Sequence, residues 1–297
     1  MSELKHDNWV GTTYGNGWMH RWLIRMLKVI DVRVLYAFTY VFVIPPTMLI
    51  NSKARKAIYG FYRDHMEFGR IKSAWMVYKN HCAFSQVVID RFAMYAGKRF
   101  DITIDGYEEF QNLSTKDKGF VQLSSHIGNY EIAGYSLVAK NKRFNALVFS
   151  GEKASVMANR SKLFEGNNIR MIPMMPDMSH LFVIDKALTD GEILSMPSDR
   201  VFGSQKTFDL EFFGQKARFP QGPFILAAIR DVPVLFVSVM KRKSKAYHIT
   251  VTRIVCEDER NVRSRAAELA TQYVGLLENT VKRYPSQWYN YFDFWAK

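Results

Sequence analysis

Cysteine is nearly absent from this chain of 297 residues: Cys82 and Cys256 stand far apart, with no CxxC around either. That excludes a disulfide framework and a zinc ribbon and fits a reducing compartment. Also missing is the apolar stretch that a cleavable signal peptide carries near its start. The first 22 residues are polar, aromatic and glycine-bearing, so the amino terminus is expected to be retained. Nor is there an unbroken apolar run of about 20 residues, the length a bilayer-spanning helix needs. Val34 to Ser52 comes nearest, uncharged but interrupted by Pro45-Pro46. Mechanistic motifs are equally sparse. There is no G-x-S-x-G nucleophile elbow, P-loop, H-E-x-x-H, or G-x-G-x-x-G after a strand, which argues against a covalent enzyme intermediate and a metal site. No internal repeat, low-complexity tract or linker is visible.

Acidic residues are the other shortage. Asp plus Glu number 28 against 41 Lys plus Arg, a net charge of +13, so the surface attracts anions such as nucleic acid, acidic proteins or acidic lipid headgroups. The imbalance peaks in residues 53–99, with ten basic residues against three acidic ones. Arg21, Arg25, Lys28 and Arg33 precede the Val34 to Ser52 stretch, and Lys53, Arg55 and Lys56 follow it. Positive flanks favour the cytoplasmic side, so both ends are expected there. Trp18, Trp22, Tyr36 and Tyr40 suit an interface. A helix that dips into or lies on the membrane, bent at the double proline, fits this pattern; the alternative is a buried helix of a soluble protein. No recognisable nucleic-acid module is present, so no nucleic-acid partner is expected.

Residues 53 to 97 are rich in helix formers and free of proline. From Phe100 the pattern changes to short apolar runs between turns: Phe100 to Ile104, Phe120 to Ser124, Ala146 to Phe149, Ile169 to Ile172, Ile193 to Met196, Phe208 to Phe213, Val232 to Met240 and Tyr247 to Val255. These read as strands. Helix-length segments lie between them at Tyr130 to Lys140, Ala154 to Phe164, Met178 to Thr189 and Pro223 to Arg230. The last two strands form a hairpin through the basic loop Lys241 to Lys245. An amphipathic helix follows, opened by Asp258 and Glu259, closed by Lys282 and Arg283 and stopped by Pro285. The expected class is α/β, a single mixed sheet covered by helices. Residues 1–52 are expected to be an N-terminal membrane-contacting segment. Residues 53–297 would be one domain, with basic helices (53–99), an α/β core (100–255) and a C-terminal helix and tail (256–297).

The densest site-like stretch is Gln122 to Glu131, where an apolar strand ends in small residues, then His126, a glycine and a helix start. Ligands bind at such strand ends in open α/β sheets. His126 is expected in the loop and Glu131 in the first helical turn, close enough for the carboxylate to hold and polarise the imidazole as a general base. The alternative is that Ser124, His126 and Glu131 merely cap the helix. His81-Cys82 is no dyad, because helix neighbours point about 100° apart.

Ser125-His126-Ile127-Gly128-Asn129-Tyr130-Glu131 resembles the H-x4-D/E signature of the lysophospholipid acyltransferase superfamily, in the form found in bacterial lipid A late acyltransferases. Other blocks resemble that group in order: Trp9 to Thr12, Asn159-Arg160, Pro197 to Arg200 with Phe202-Gly203, Phe212 to Gly214, Phe219 to Pro223, Val232 to Val234, and Tyr284 to Trp288 through Phe294-Trp295. The resemblance implies a glycerol-phosphate acyltransferase-like fold. It implies transfer of a fatty acyl group from an acyl carrier protein or coenzyme A thioester to a hydroxyl of a membrane lipid, of the lipid A precursor type, at the cytoplasmic face of the bacterial inner membrane. His126 would be the catalytic base and Glu131 its partner, with no metal or redox cofactor.

The same resemblance makes Arg160, Asp199, Arg200 and Gly222 substrate-binding residues. A guanidinium suits phosphate by forked hydrogen bonding, and a glycine admits close backbone approach to a ligand. Their plainer readings are a surface arginine, a structural ion pair or cap, and an ordinary turn. Two departures bear on the acceptor: many lipid A enzymes have two acids in the block where this chain has Ser198-Asp199-Arg200, and much of the superfamily has Glu where this chain has Gln221. The alternatives are acylation of a lysophospholipid, aminolipid or polyene lipid, or a nonenzymatic anionic-lipid-binding protein.

Overall fold

A computed structural model of the chain describes residues 17–149, 157–159, 161, 168–175, 177–201, 206–257 and 260–295. Most of the expected helix over Ala154 to Phe164, including Arg160, lies outside the described residues, as do Trp9 to Thr12, Phe202-Gly203, Asp258 and Glu259.

Helix α1 (Gly17–Val29) leads to α2 (Val32–Ile50), which Asp31 caps by accepting the Arg33 N–H at 3.0 Å. Within α2, Thr39–Val43 forms a π turn just ahead of Pro45-Pro46. Proline has no N–H to donate and its ring crowds the carbonyl four residues back. The wider turn accommodates both, and the helical run continues to Ile50. Next come α3 (Ser52–Gly60) with a second π turn at Phe61–His65, and the 26-residue α4 (Arg70–Tyr95). Leu27, Val32, Leu35 and Tyr36 pack on Ile89, Phe92 and Ala93 of α4. The opposite face of α2 leaves Val34, Phe38, Val41, Phe42 and Leu49 exposed. The α2 helix therefore lies against the protein with its apolar outer face uncovered, unlike the buried helix of a soluble core.

The seven-stranded sheet has the order β1-β9-β8-β2-β5-β3-β4, with β1 Asp101–Asp105, β2 Phe120–Ser124, β3 Phe144–Phe149, β4 Ile169–Met174, β5 Ile193–Pro197, β8 Val234–Lys243 and β9 Ala246–Ile254. All pairings are parallel except the β8–β9 hairpin, so the sheet is mixed, as expected. Strand β6 (Thr207–Phe212) departs from the other expected strands. It pairs with β7 (Gln215–Pro220) in a separate two-stranded hairpin. Helices α5 (Tyr107–Ser114), α6 (Glu131–Ser136), α7 (His180–Thr189), α8 (Gly222–Arg230) and α9 (Val262–Arg283) cover the sheet. Alternation along the central strands feeds two cores. Val121, Leu123, Leu194 and Met196 join the cluster under α8 and α9, whereas Phe120, Ile193, Leu235 and Val237 join the one under α5 and α6.

The connections locate the site. Chain leaving β2 runs to β3 on the far side of β5, and chain leaving β5 returns to β8 on the far side of β2. The two carboxyl ends therefore diverge at a topological switch point, where open α/β sheets bind ligands.

Candidate active site

Strands β2 and β5 pair from Phe120 with Ile193 to Ser124 with Pro197, a constant offset of 73 residues. The ladder extends one step further, because the Ser198 N–H donates to the Ser124 carbonyl at 2.9 Å. Two residues beyond each strand the same offset brings His126 against Asp199. The His126 Nδ1–H donates to Asp199 Oδ1 at 2.8 Å and its main-chain N–H to Oδ2 at 2.9 Å. Both carboxylate oxygens thus serve His126, and the Asp199 side chain is 1% exposed. A carboxylate on Nδ1 fixes that nitrogen as the protonated one and makes Nε2 the basic one. Burial and the nearby Arg200 charge hold the imidazole below its usual pKa, against the opposing pull of Asp199. Burial pushes the Asp199 carboxyl up, but His126 and Arg200 together keep it below the usual carboxylate range.

The sequence placed Glu131 on the imidazole. In the structure the carboxylate on Nδ1 is Asp199's, while Glu131, in the first turn of α6, forms an ion pair with Arg91 of α4 at 2.8 Å. Asp199, expected to bind substrate, has its oxygens engaged by His126 instead. Arg200 is buried and donates from Nη2 to the Tyr289 carbonyl at 2.7 Å. Gly222 opens α8, with no atom within 4 Å of where a Cβ would sit, and Gln221 donates its side-chain amide to the Thr207 carbonyl at 2.7 Å. Arg160 lies outside the described residues.

The loop bearing His126 is held from both sides. Gly128 adopts φ 59°, and a Cβ there would overlap the Val239 carbonyl oxygen. The Asn129 N–H donates to that same carbonyl at 2.9 Å. From the C-terminal segment, Gln287 O accepts the Gly128 N–H at 2.8 Å, and the Tyr289 N–H donates to His126 O at 3.1 Å. Ser125 is 1% exposed and hydrogen-bonded to the Tyr273 hydroxyl of α9 at 2.8 Å, so it is sequestered from any nucleophilic role. Sequence reasoning gave Tyr273 no role at the site, and it marked the C-terminal block only by its resemblance, not by its contact with the His126 loop.

His126, Glu131, Arg200 and Gly222 all line one cleft of about 1890 Å³. That volume is well above the range of about 300–1,000 Å³ usual for small-molecule sites, and is large enough for a chain-bearing donor and a lipid acceptor together. Its far wall is built by Trp18, Trp22, Val34, Phe38 and Val43 of α1 and α2. A base at the floor of a large apolar cleft is suited to activating a hydroxyl beside a long hydrocarbon chain.

Residues 88–295 match the bacterial lipid A biosynthesis acyltransferases, more than two thirds of the chain, and the chain belongs to that family. It is thus an acyltransferase acting on lipid acceptors. Among solved structures, it is similar to the 1-acyl-sn-glycerophosphate acyltransferase PlsC from Thermotoga maritima, with 14% identity, a TM-score of 0.36 and coverage of 88% of this chain and 98% of that one. That likeness is too distant to transfer residue roles. No curated protein sequence matches the chain significantly.

Proposed function

We propose that the protein moves a fatty acyl group from an acyl carrier protein or coenzyme A thioester to a hydroxyl of a lipid A precursor, at the cytoplasmic face of the bacterial inner membrane. The observation that carries this is the His126–Asp199 pair at the floor of a lipid-sized cleft walled by the exposed apolar helices α1 and α2. His126 Nε2 takes the proton of the acceptor hydroxyl as its oxygen attacks the thioester carbonyl carbon. The tetrahedral intermediate collapses with cleavage of the C–S bond, and the departing thiolate recovers the proton from the imidazolium. Asp199 acts as a positioning residue that holds the tautomer and stabilises the imidazolium. The thioester is already activated, so deprotonation and orientation are the main demands. The Glu131–Arg91 pair borders the acceptor, and no metal or redox cofactor takes part.

The location rests on α2. Its 19 residues extend about 28 Å, but it packs along α4, and basic residues flank both ends. This fits a helix seated in one leaflet. Each Lys or Arg near an anionic surface adds roughly 1 kcal/mol of attraction, and the same charge draws an acidic carrier protein. Family membership displaces the reading as a nonenzymatic lipid binder.

The test incubates wild-type and His126→Ala protein with carrier-protein thioesters, acyl-coenzyme A and total bacterial lipid, with circular dichroism as the folding control. Wild type alone is expected to yield lipids heavier by one acyl group, and the product mass identifies the acceptor. A diacyl phospholipid product, formed from a lysophospholipid acceptor, would overturn the lipid A assignment; equal turnover by both proteins would overturn the role of His126.

A further inference from the structure

The cleft has a second apolar edge at the junction of β4 and α7. Residues 171–178 hold four methionines, Met171, Met174, Met175 and Met178, and Leu181 and Phe182 follow on the first turn of α7. Four of these side chains are exposed: Met175 at 41%, Met178 at 47%, Leu181 at 43% and Phe182 at 81%. The turn that presents them is built. Met178 sits at φ 62°, rare for a bulky residue. It is fixed by its N–H donating to Met175 O at 3.1 Å and by the Leu181 N–H donating to its own carbonyl at 2.9 Å. His180, buried beneath, accepts the Met175 N–H on Nδ1 at 3.1 Å.

We infer that this methionine rim is a second membrane contact, inserting into the same lipid surface as α1 and α2, so that the cleft opens between two seated edges and takes its acceptor sideways from the bilayer. The inference rests on the membrane seating of α2 proposed above. Two observations select lipid as the occupant. Met174, Met178 and Leu181 line the same cleft as Trp18, Trp22 and Phe38, which makes the rim continuous with the apolar wall of α1 and α2. Charge disfavours an acidic protein or nucleic acid: residues 171–185 contain no Lys or Arg. Their two acids are tied within the fold, Asp177 accepting the Ser179 N–H at 3.0 Å and Asp185 accepting Arg230 Nε at 2.6 Å. Unbranched thioethers conform to a fluid surface as readily as to an irregular core.

The experiment uses the full chain with Cys256→Ser, leaving the buried Cys82 in place. Thiol-directed nitroxides are introduced one at a time through Phe182→Cys, Phe42→Cys on the outer face of α2, and Lys116→Cys on a polar, exposed turn. Collisions with oxygen and with a water-soluble nickel chelate are compared with and without phosphatidylethanolamine–phosphatidylglycerol vesicles. On vesicle addition, labels at 182 and 42 are expected to lose nickel collisions and gain oxygen collisions, with 116 unchanged. Phe182→Glu is expected to lower the vesicle partition coefficient about tenfold, as when most of one Phe leaves apolar surroundings. Protection at 42 with 182 still as open as 116 would overturn the second contact and leave the seating of α2 intact. Protection at neither would overturn both. Concentration-dependent protection at 182 without vesicles would assign the rim to a second copy of the chain.

Discussion

Among the described residues, the carboxylates of Asp90 and Asp199 are sealed from solvent, and their surroundings push them in opposite directions. Asp90, on α4, is fully buried and accepts hydrogen bonds from Tyr36 of α2, Lys241 of β8 and Tyr247 of β9. Burial raises its pKa, and those partners only partly offset the shift. Asp199 is as deeply buried, yet His126 and Arg200 outweigh the burial and hold its pKa low. The difference lies in what each neighbour does next. Every group on Asp90 is itself packed into the junction of α2 and α4 with the β8–β9 hairpin. Asp199 instead holds a ring that faces an open cleft. A satisfied buried ion cluster ties elements together, whereas a shifted pair at a cleft floor is poised for chemistry.

The largest expected effect tests the chemical half of that contrast. Asp199→Asn is expected to lower kcat by about 10²–10⁴-fold with little change in thermal stability, measured by single-turnover acyl transfer and by calorimetry. The architectural half predicts the reverse for Lys241→Met. Removing the ammonium strands a buried carboxylate and is expected to cost about 3–5 kcal/mol of stability, read from denaturant unfolding, while kcat per folded molecule stays close to wild type. Adding Asp90→Leu should restore much of the loss, since replacing a buried pair with apolar groups is often neutral or stabilising. A large fall in kcat for folded Lys241→Met would erase the distinction between the two carboxylates.

Gly128 lies between the regions, on the site loop but braced by β8. Gly128→Ala must move the Val239 carbonyl or abandon φ 59°. The conformation alone costs roughly 1–2 kcal/mol for a residue with a Cβ. Moderate destabilisation with a parallel loss of turnover is expected, because the main-chain bond from Tyr289 to His126 depends on that loop.

Much of this architecture was readable before the fold was known, for identifiable reasons. Strand β2 matched its expected bounds, and β5 ran one residue beyond them, since both are apolar runs closed by small residues or proline. Strand β7 escaped because Gln215, Lys216 and Arg218 face outward and only Ala217, Phe219 and Pro220 are buried. Its turn, Phe213-Gly214 with φ 54° and 73°, was the usable signal. Helix α5 escaped with only Phe110 and Leu113 buried in eight residues. At the candidate site, the place of His126 in the loop after a strand was legible, but the carboxylate hydrogen-bonded to its ring was not. Glu131 is five residues away in sequence, whereas Asp199 is 73 away and reaches His126 only because β2 and β5 are neighbours in register. Strand order is a tertiary property, and spacing within one segment does not contain it.

The smallest expected effect is the most discriminating, because it reads the imidazole itself. With its pKa held below 6.5 by burial and by Arg200, His126 stays neutral through physiological pH, and kcat/KM should be flat near neutrality and fall only at more acid pH. Asp199 opposes that depression, so Asp199→Asn should move the acid limb to still lower pH even as the plateau drops. Glu131→Gln, whose carboxylate sits on Arg91, should leave the limb in place. Linkage fixes the sign for stability: below 6.5 the unfolded histidine binds a proton that the folded one refuses. His126 therefore contributes stability that is complete above 6.5 and is lost as pH falls through the folded value. Thermal unfolding across that window should show a decline that His126→Ala flattens. An acid limb centred above 6.5 would overturn the depressed imidazole, leaving either the pull of Asp199 dominant over burial and Arg200 or another group titrating.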